Sequence, residues 1–461
     1  MNPRNHQIGK LVLKLEFDSE QAANELQKSF TETFETQVKS AIDEVFSTFS
    51  TNGETIVIDH LKINLGQINL DDFACTLKNE VQNSLQKLLN SKSKNEILDE
   101  VVKIPASETS FEILVFFLQN GHFPWWAGEI SQQQLENLVM NETSFADKET
   151  QSKFIEIFSS SNCRQRLAMQ FSEDFNRQLI SNFYPEFAGF IFKTIDQFKN
   201  ILSENQISEE GISHEWPVLV WPLLIENEER AIFDRQLPAK ILSAFCGKFN
   251  LNLAEISSQI QNNQDFKPAF QDNLTISEKK PEKLSQIKPE KREQSTTEII
   301  ITNAGQVIFW PFLQQLFKDF NLLEGTAFLS ENHHEKAVLL TQFLVTGELE
   351  TAEFELPLNK IIAGWPIEKP LQKSLSLEDA EKTIAEDFLK EIIKNWPALK
   401  NTSIAGLRET FLQRNGILRS DHEKWSLKIE RKTVDILRDS LPWPISIIKL
   451  PWMDKILYVE W

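Results

Sequence analysis

The sequence is poor in cysteine, glycine and tyrosine. Its three cysteines, Cys75, Cys163 and Cys246, lie far apart in the chain and form no CxxC motif. They fit small buried side chains in a reducing compartment better than disulfides or a metal site. Only 14 residues are glycine, and neither a GxxxxGK[ST] loop nor a GxGxxG fingerprint occurs. The chain is therefore poorly supplied for a loop that cradles phosphate.

Membrane and secretion signals are also missing from the sequence. No window approaches the roughly 18 consecutive apolar residues of a membrane-spanning helix. The first ten residues, MNPRNHQIGK, contain no apolar stretch, so no signal peptide is predicted. We therefore expect a cytoplasmic protein without a membrane span.

Acidic residues outnumber basic ones, 67 to 48, and the net charge is −19. A nucleic-acid binder needs a basic face that neutralises phosphates, so no nucleic-acid partner is expected. Hydrophobic residues make up 41% of the chain and charged residues 25%, which is a globular composition. At 461 residues the chain is too long for one ordinary core, so about two to four domains are predicted.

Aromatic residues are abundant, with 34 Phe and 11 Trp against only 2 Tyr. Proline directly follows six of the tryptophans, namely Trp216, Trp221, Trp310, Trp365, Trp396 and Trp443. Because proline disfavours the helical conformation of the residue before it, each step predicts a helix end or a turn. The stretch Trp216–Leu224 is accordingly predicted to be extended or a tight turn. We interpret the indoles as packing at helix ends, with an exposed docking surface as the alternative.

Candidate catalytic and metal-binding patterns are weak. Glu331–Glu335 reads ENHHE, and its adjacent histidines would point about 100° apart, whereas a zinc helix needs them four residues apart. We interpret this segment as a solvated helix start. Asp71 and Asp72 fit a helix cap better than a catalytic acid pair, and no GxSxG elbow occurs. The sequence therefore predicts a protein that is not an enzyme and that holds no metal or cofactor.

The apolar periodicity predicts an α+β fold that is predominantly α-helical. The predicted parts are an N-terminal strand-helix-strand-helix module (1–103), a helical middle domain (104–272), a charged flexible linker (273–296) and a C-terminal helical domain that closes with short strands (297–461). In the first part, strands are predicted at 11–17 and 61–65, and helices after Ser19 and Asp71.

The last part contains further predicted elements. The predicted strands are Ile299–Ile301, Trp425–Ile429, Ile445–Leu450 and Ile456–Val459. The predicted helices are Glu335–Val345 (stopped by Gly347), Glu378–Trp396 and Ile404–Gln413.

The last twenty-one residues read LPWPISIIKLPWMDKILYVEW (441–461), and the sequence ends on an aromatic residue. Two Pro-Trp steps bracket the apolar run Ile445–Leu450. Most termini fray, so a terminus this apolar predicts a strand packed in the fold or a segment docked on a partner.

Several stretches resemble the tape measure proteins of contractile injection systems, the phage-tail-like secretion machines of bacteria. The stretches are HQIGKLVLKLEF (6–17), IDHLKINLG (58–66), the region 301–343 with TNAGQVIFWPFLQQLF, the LPLNK segment (356–360), and the region 396–461 with ALKNTSIAGLRETFLQRNGIL and the terminal motif. The resemblance implies a non-enzymatic part of a syringe-like particle whose partners are tube, baseplate or spike proteins. It also implies a cytoplasmic location during assembly, with incorporation into the particle as an open question.

The signature residues of this resemblance are candidates for an interaction or structural role. They are Asn401, Thr402, Leu407, Arg408, Pro442, Trp443, Pro451, Trp452, Met453, Glu460 and Trp461. A literal length ruler built as one helix of 461 residues would span about 690 Å, but the chain contains 18 prolines. Tube length control and an assembly role at one end of the tube therefore stay open, as does the oligomeric state. The alternative is a soluble helical scaffold or chaperone-like adaptor for effector cargo or particle proteins.

Overall fold

A computed structural model gives the structure of most of the chain. It describes residue 8 and residues 39–49, 54–58, 72–90, 101–128, 130–204, 209–229, 237–256, 298–399, 401–421 and 423–461. This part is mostly helical with short strands, which confirms the predicted α+β, predominantly helical class. The predicted strands at 11–17 and 61–65, the helix start at Ser19 and the linker 273–296 lie outside the described residues.

The elements before residue 250 are mostly helices. In chain order they are α1 (Lys39–Phe49), β1 (Glu54–Ile58), α2 (Phe73–Asn90), β2 (Val101–Pro105), α3 (Ala106–Asn120), a 3₁₀ turn (Trp125–Ala127), α4 (Gln132–Glu142), α5 (Lys148–Ser159), α6 (Ser161–Gln170), α7 (Glu173–Phe183), α8 (Pro185–Glu204), α9 (Glu209–Glu229) and α10 (Leu237–Phe249).

The elements after residue 297 mix helices with short strands. They are β3 (Glu298–Ile301), a 3₁₀ segment (Ala304–Phe312), α11 (Leu313–Asp319), β4 (Leu323–Glu324), β5 (Ala327–Phe328), α12 (Glu331–Thr346), a 3₁₀ turn (Glu353–Glu355), α13 (Pro357–Ala363), α14 (Asp379–Asn395), a 3₁₀ turn (Pro397–Leu399), α15 (Ile404–Leu407), a π turn (Arg408–Leu412), β6 (Gly416–Ser420), β7 (Lys424–Ile429), a 3₁₀ segment (Thr433–Ser440), β8 (Ile447–Ile448) and β9 (Ile456–Glu460).

The chain divides into two compact units. The first contains residues 1–112, 125–130 and 141–144, and the second contains 113–124, 131–140 and 145–461. In the first unit β1 pairs antiparallel with β2, and α1 packs on α2. The predicted helix after Asp71 is α2, whereas the sequence pattern does not predict β1.

Helix α9 corrects the prediction for Trp216–Leu224, because it continues through Pro217 and Pro222. A proline inside a helix removes a hydrogen bond and costs about 3 kcal/mol. Trp216 and Trp221 are completely buried, and the burial of two indoles in a helical conformation offsets this cost. Tertiary packing therefore overrides the local signal.

The other Trp-Pro steps behave more nearly as predicted. Trp396 is the C-cap residue of α14, and Trp365 follows Gly364, the left-handed C-cap of α13. Trp310 lies in a 3₁₀ segment, and Trp443 lies in a loop.

The C-terminal strands form one five-stranded sheet in the order β3-β6-β7-β9-β8. Only the β7–β9 pair is parallel. One face of the sheet is buried, and the residues that cover it include Ile299, Ile301, Leu418, Leu427, Ile429, Ile448 and Leu457. The four strands predicted in this part are confirmed, although the run at 445–450 pairs only at Ile447–Ile448.

The predicted C-terminal helices are also present. Helix α12 begins after Ser330, whose hydroxyl accepts the N–H of His333, and ends at Gly347 in the left-handed conformation. Helix α14 begins at Asp379, as predicted. The helix predicted over 404–413 starts as α15 and continues as the π turn.

Candidate functional site

The terminal motif is part of the C-terminal sheet and core. Strand β9 lies between β7 and β8, and its Leu457 is completely buried. Ile448 and Leu450 in the preceding segment are also buried. The apolar terminus is therefore packed as a strand in the fold.

Trp443 connects the start of this motif to the 3₁₀ segment 304–312. Its indole Nε1 donates to the main-chain oxygen of Ile308 at 2.7 Å, and its ring meets Phe312 edge-on at 4.9 Å between ring centroids. In return, Trp310 Nε1 donates to the oxygen of Pro444 at 2.9 Å. The neighbouring Pro442 is exposed.

Trp452 makes the equivalent connection to α13. Its Nε1 donates to the oxygen of Ile362 at 2.9 Å. Gly364 has φ +74°, and a Cβ on it would lie 2.2 Å from the Trp452 oxygen, so this close approach requires glycine. Met453 is buried and its Sδ accepts the N–H of Leu450 at 3.3 Å, while Pro451 is exposed.

Trp461 is held by a cluster of charged side chains. Its Nε1 donates to Asp435 Oδ2 at 3.0 Å, and Asp435 also pairs with the completely buried Arg414. Arg438 and Arg431 donate to the main-chain oxygen of Trp461.

Four of the other signature residues lie at the two ends of α15, with Asn401 and Thr402 before the helix and Leu407 and Arg408 at its C-terminal end. Arg408 donates from Nε to the oxygen of Leu344 at 3.0 Å and from Nη2 to that of Phe343 at 3.2 Å. These carbonyls belong to the last turn of α12, where the Phe343 oxygen also accepts the N–H of the C-cap residue Gly347. Leu407 is completely buried. Asn401 is exposed and Thr402 is half-buried.

The structure therefore separates the signature residues into anchors and surface residues. The Trp443, Trp452, Trp461 and Arg408 side chains each bond to main-chain carbonyls or buried groups and join distant segments. Glu460 is exposed, with one oxygen 3.7 Å from Lys428 Nζ. The structure does not bring these residues together into one pocket.

The outer face of the sheet is the candidate interaction surface. We use the name outer sheet face for Ile300, Ile417, Lys428, Ile447, Tyr458 and Glu460. Three of its apolar side chains are well exposed: Ile300 by 45%, Ile447 by 56% and Tyr458 by 42%. A shallow depression of about 450 Å³ lies over β6, β7 and β9. The face combines apolar contact area with charges at its centre.

The ENHHE segment has a structural role. As predicted it begins α12, but His334 is half-buried rather than solvated. Its Nε2 lies 2.7 Å from the oxygen of Ala363, and its ring stacks on Phe328 with 4.0 Å between ring centroids. Burial lowers the pKa of His334. Within the part of the chain that the structure describes, no three His, Cys, Asp or Glu residues form a metal-binding group.

Sequence reasoning missed a buried ionic cluster formed by Arg166, Glu353 and Lys360. All three side chains are completely buried. Arg166 Nε lies 3.0 Å from Glu353 Oε2, and Lys360 Nζ lies 2.5 Å from Glu353 Oε1. The two cations are 187 and 7 residues away from the carboxylate in sequence, and no local pattern could have indicated the longer pairing.

The described helices contain none that is long and apolar enough to cross a membrane. A family model, described as contractile injection system tape measure protein, matches residues 5–461. The chain belongs to this family. No curated protein and no solved structure matched the chain. Membership of the tape measure family confirms the resemblance given by the terminal motif and supports a structural role in a contractile injection system.

Proposed function

We propose that this tape measure family protein is a non-enzymatic assembly component that acts as a folded protein at one end of the tube, where tube and baseplate meet. The observation that carries the proposal is the combination of a family match over residues 5–461 with the division of the chain into two compact units. Its partners in this proposal are tube or baseplate subunits.

The dimensions of the described helices support a folded component over an extended ruler. The longest helix in the described part of the chain, α9, has 21 residues and spans about 31 Å at 1.5 Å per residue. The buried residues around it come from several helices, and α9 packs on α6, α10, α5 and α8. A continuous rod would require these contacts to be lost.

The outer sheet face is the proposed contact with the tube or baseplate subunit. The region 416–461 contains eight basic and seven acidic residues, whereas the whole chain has a net charge of −19. Because the basic and acidic residues of this region nearly balance, the outer sheet face can make an apolar contact with an acidic subunit without strong electrostatic repulsion. The acidic remainder of the protein would attract a basic tube or baseplate surface at long range.

A pull-down from the native host tests the proposal. Tagged full-length protein is compared with Ile447→Glu, which places a charge on the outer sheet face, and with Leu138→Glu, which makes the same change at another exposed apolar side chain (37% exposed). We expect mass spectrometry to find tube or baseplate subunits with the parent protein and with Leu138→Glu, and a loss of these subunits with Ile447→Glu.

Two results would contradict the proposal. Equal recovery of the particle subunits by both variants would show that the outer sheet face is not the contact. Recovery of no tube, sheath or baseplate subunit, with the protein abundant as a free species, would favour the scaffold or chaperone-like adaptor.

A further inference from the structure

Within the second compact unit, the helices α4–α10 and the C-terminal part have separate apolar packing. One apolar cluster has members that all lie between Ile299 and Trp461. The helices have their own aromatic stack, in which Trp221 lies 5.3 Å from Phe154 and 5.0 Å from Phe158 between ring centroids.

The joining contacts are centred on the buried ionic cluster. Besides Glu353, Arg166 donates to the oxygen of Glu368 at 2.6 Å and to that of Leu118. One helical turn further along α6, Gln170 accepts the N–H of Glu353 at 2.8 Å and donates to the oxygen of Leu371 at 2.8 Å. We call this set of contacts the joint.

A small aromatic contact completes the joint. Phe123 stacks on Phe354 with 4.2 Å between ring centroids. Gly121, with φ +77°, comes so close that a Cβ on it would lie 2.9 Å from Glu353 Oε1 and 3.0 Å from Arg166 Nη2. The packing around the charges therefore leaves no room for a side chain at this position.

The free energy of opening the joint depends on the charged side chains buried in it. Two cations and one carboxylate are removed from water, and only the hydrogen bonds to Glu353 and to main-chain oxygens compensate for that loss. If the joint opens, Arg166, Glu353 and Lys360 regain hydration, and the aromatic contacts that are lost are those of Phe354 with Phe117 and Phe123. An apolar interface of the same size would gain no favourable hydration free energy on opening.

We propose that the joint is a release point at which α6 and the segment 353–371 separate while the two cores stay folded. The protein would then have a closed form and an open form that differ in the hydration of three charged side chains. This inference does not depend on which particle subunit the protein binds.

Proton binding would favour the open form. Burial lowers the pKa of His122 to about 4, and the positive charges of Lys360 and Arg166 act in the same direction while Glu368 opposes them. Burial also lowers the pKa of Lys360 to about 8, against the attraction of Glu353 and Glu368, with Arg166 lowering it further. Between about pH 4 and 6.5 the closed form therefore binds fewer protons at His122 than the open form, so acid favours opening there, whereas Lys360 contributes only above about pH 8.

Hydrogen–deuterium exchange of the full-length protein at neutral pH tests the inference. Glu353→Gln leaves the two buried cations without their carboxylate, and Asp435→Asn is the matched control because it breaks a buried ion pair with Arg414 inside the C-terminal part. Breaking a buried pair costs about 3–5 kcal/mol, so we expect exchange in peptides covering 121–124, and at the Glu353 amide that donates to Gln170 across the joint, to rise by roughly two to four orders of magnitude in Glu353→Gln. Peptides from α9 and β7 should stay protected.

Two outcomes would overturn the inference. Unchanged exchange at 353–371 in Glu353→Gln would show that the carboxylate does not hold the joint. Simultaneous loss of protection in α9, β7 and 353–371 would show that the two regions unfold together. Asp435→Asn should loosen β9 and its neighbours without raising exchange at 121–124.

An apolar replacement keeps the test decisive if Glu353→Gln does not fold. In the quadruple variant His122→Gln, Arg166→Met, Glu353→Leu, Lys360→Met the joint has no charged group to rehydrate and no buried histidine to protonate. We expect protection at 353–371, measured relative to the intrinsic exchange rate, to be independent of pH between 5 and 8 in this variant, while the parent protein loses protection at pH 5. The same pH dependence in both proteins would contradict the release point.

Discussion

The helices α4–α10 and the C-terminal part use tryptophan in opposite ways. In α9, Trp221 fills the core and donates to Asn176 at 3.3 Å, and buried Trp216 Nε1 has no acceptor among the described residues. In the C-terminal part, four indoles donate to main-chain oxygens of other segments, namely Trp310, Trp396, Trp443 and Trp452. The first region uses indoles as packing volume, and the second uses them to fix loops to helices.

This difference shows why the two regions should respond differently to the same substitution. A core indole contributes through buried area and the cavity that its loss leaves. A linking indole contributes a smaller packing term together with one hydrogen bond that satisfies a loop carbonyl. Four predictions test this difference between the two regions.

Removal of residues 441–461 should unfold the C-terminal part. The deletion takes away β8 and β9, the Trp443 and Trp452 contacts, and the bond from Trp461 to Asp435, which is a loss of several kcal/mol at the least. Exchange protection should disappear from β7 and α12 but persist in α5 and α9. Exposed Glu460→Gln is the control and should leave the melting temperature unchanged. A deletion variant with the parent melting temperature would show that the motif adds nothing to the core.

Trp221→Ala should destabilise the helices more than Trp443→Ala destabilises the C-terminal part. Truncation of a completely buried aromatic residue costs about 3–5 kcal/mol, whereas half-buried Trp443 loses less area and one hydrogen bond, or about 1–3 kcal/mol. Denaturant unfolding monitored by exchange in each region provides the measurement. Equal losses in the two variants would remove the distinction between core and linking indoles.

Stability should fall as the pH is lowered from about 6.5 to about 4, and His122 should account for part of the loss. The pKa of His122 in the folded protein, about 4, is below its ordinary value, so its contribution is fully present above pH 6.5 and is lost as acid protonates the unfolded chain first. The difference corresponds to roughly 3 kcal/mol. His122→Gln should flatten thermal stability against pH in this window, and an unchanged slope would exclude the histidine.

Two glycine substitutions should have opposite signs. Gly364→Ala forces a Cβ against the Trp452 oxygen at a positive φ and should cost about 1–3 kcal/mol. Gly247→Ala lies inside α10, where a Cβ meets nothing within 4 Å, and should stabilise the protein by about 0.5–1 kcal/mol. Melting temperatures of the two variants supply the test, and a stabilising Gly364→Ala would mean that Trp452 does not hold this loop.

Local signals explain which parts of the fold could be predicted. Gly347 was predicted to stop α12 and ends it, because glycine acts directly on the backbone at that position. Alternation at 425–429 and the apolar run at 456–459 predict two strands, but not that they pair in parallel. Trp216–Leu224 was predicted wrongly because the burial of two indoles outweighs the helix-breaking effect of Pro217 and Pro222.

The family, the mostly helical α+β class and the strands of the terminal motif could be predicted, since they follow from residue identity and short-range periodicity. Three-dimensional packing was needed to show that the terminal strand lies inside the sheet, that Arg408 caps a helix more than sixty residues away, and that Arg166 contacts Glu353 near Lys360. Contacts between residues so far apart depend on how helices pack. No local pattern encodes that packing, because each partner reads in its own segment as an ordinary charged residue of a helix or turn.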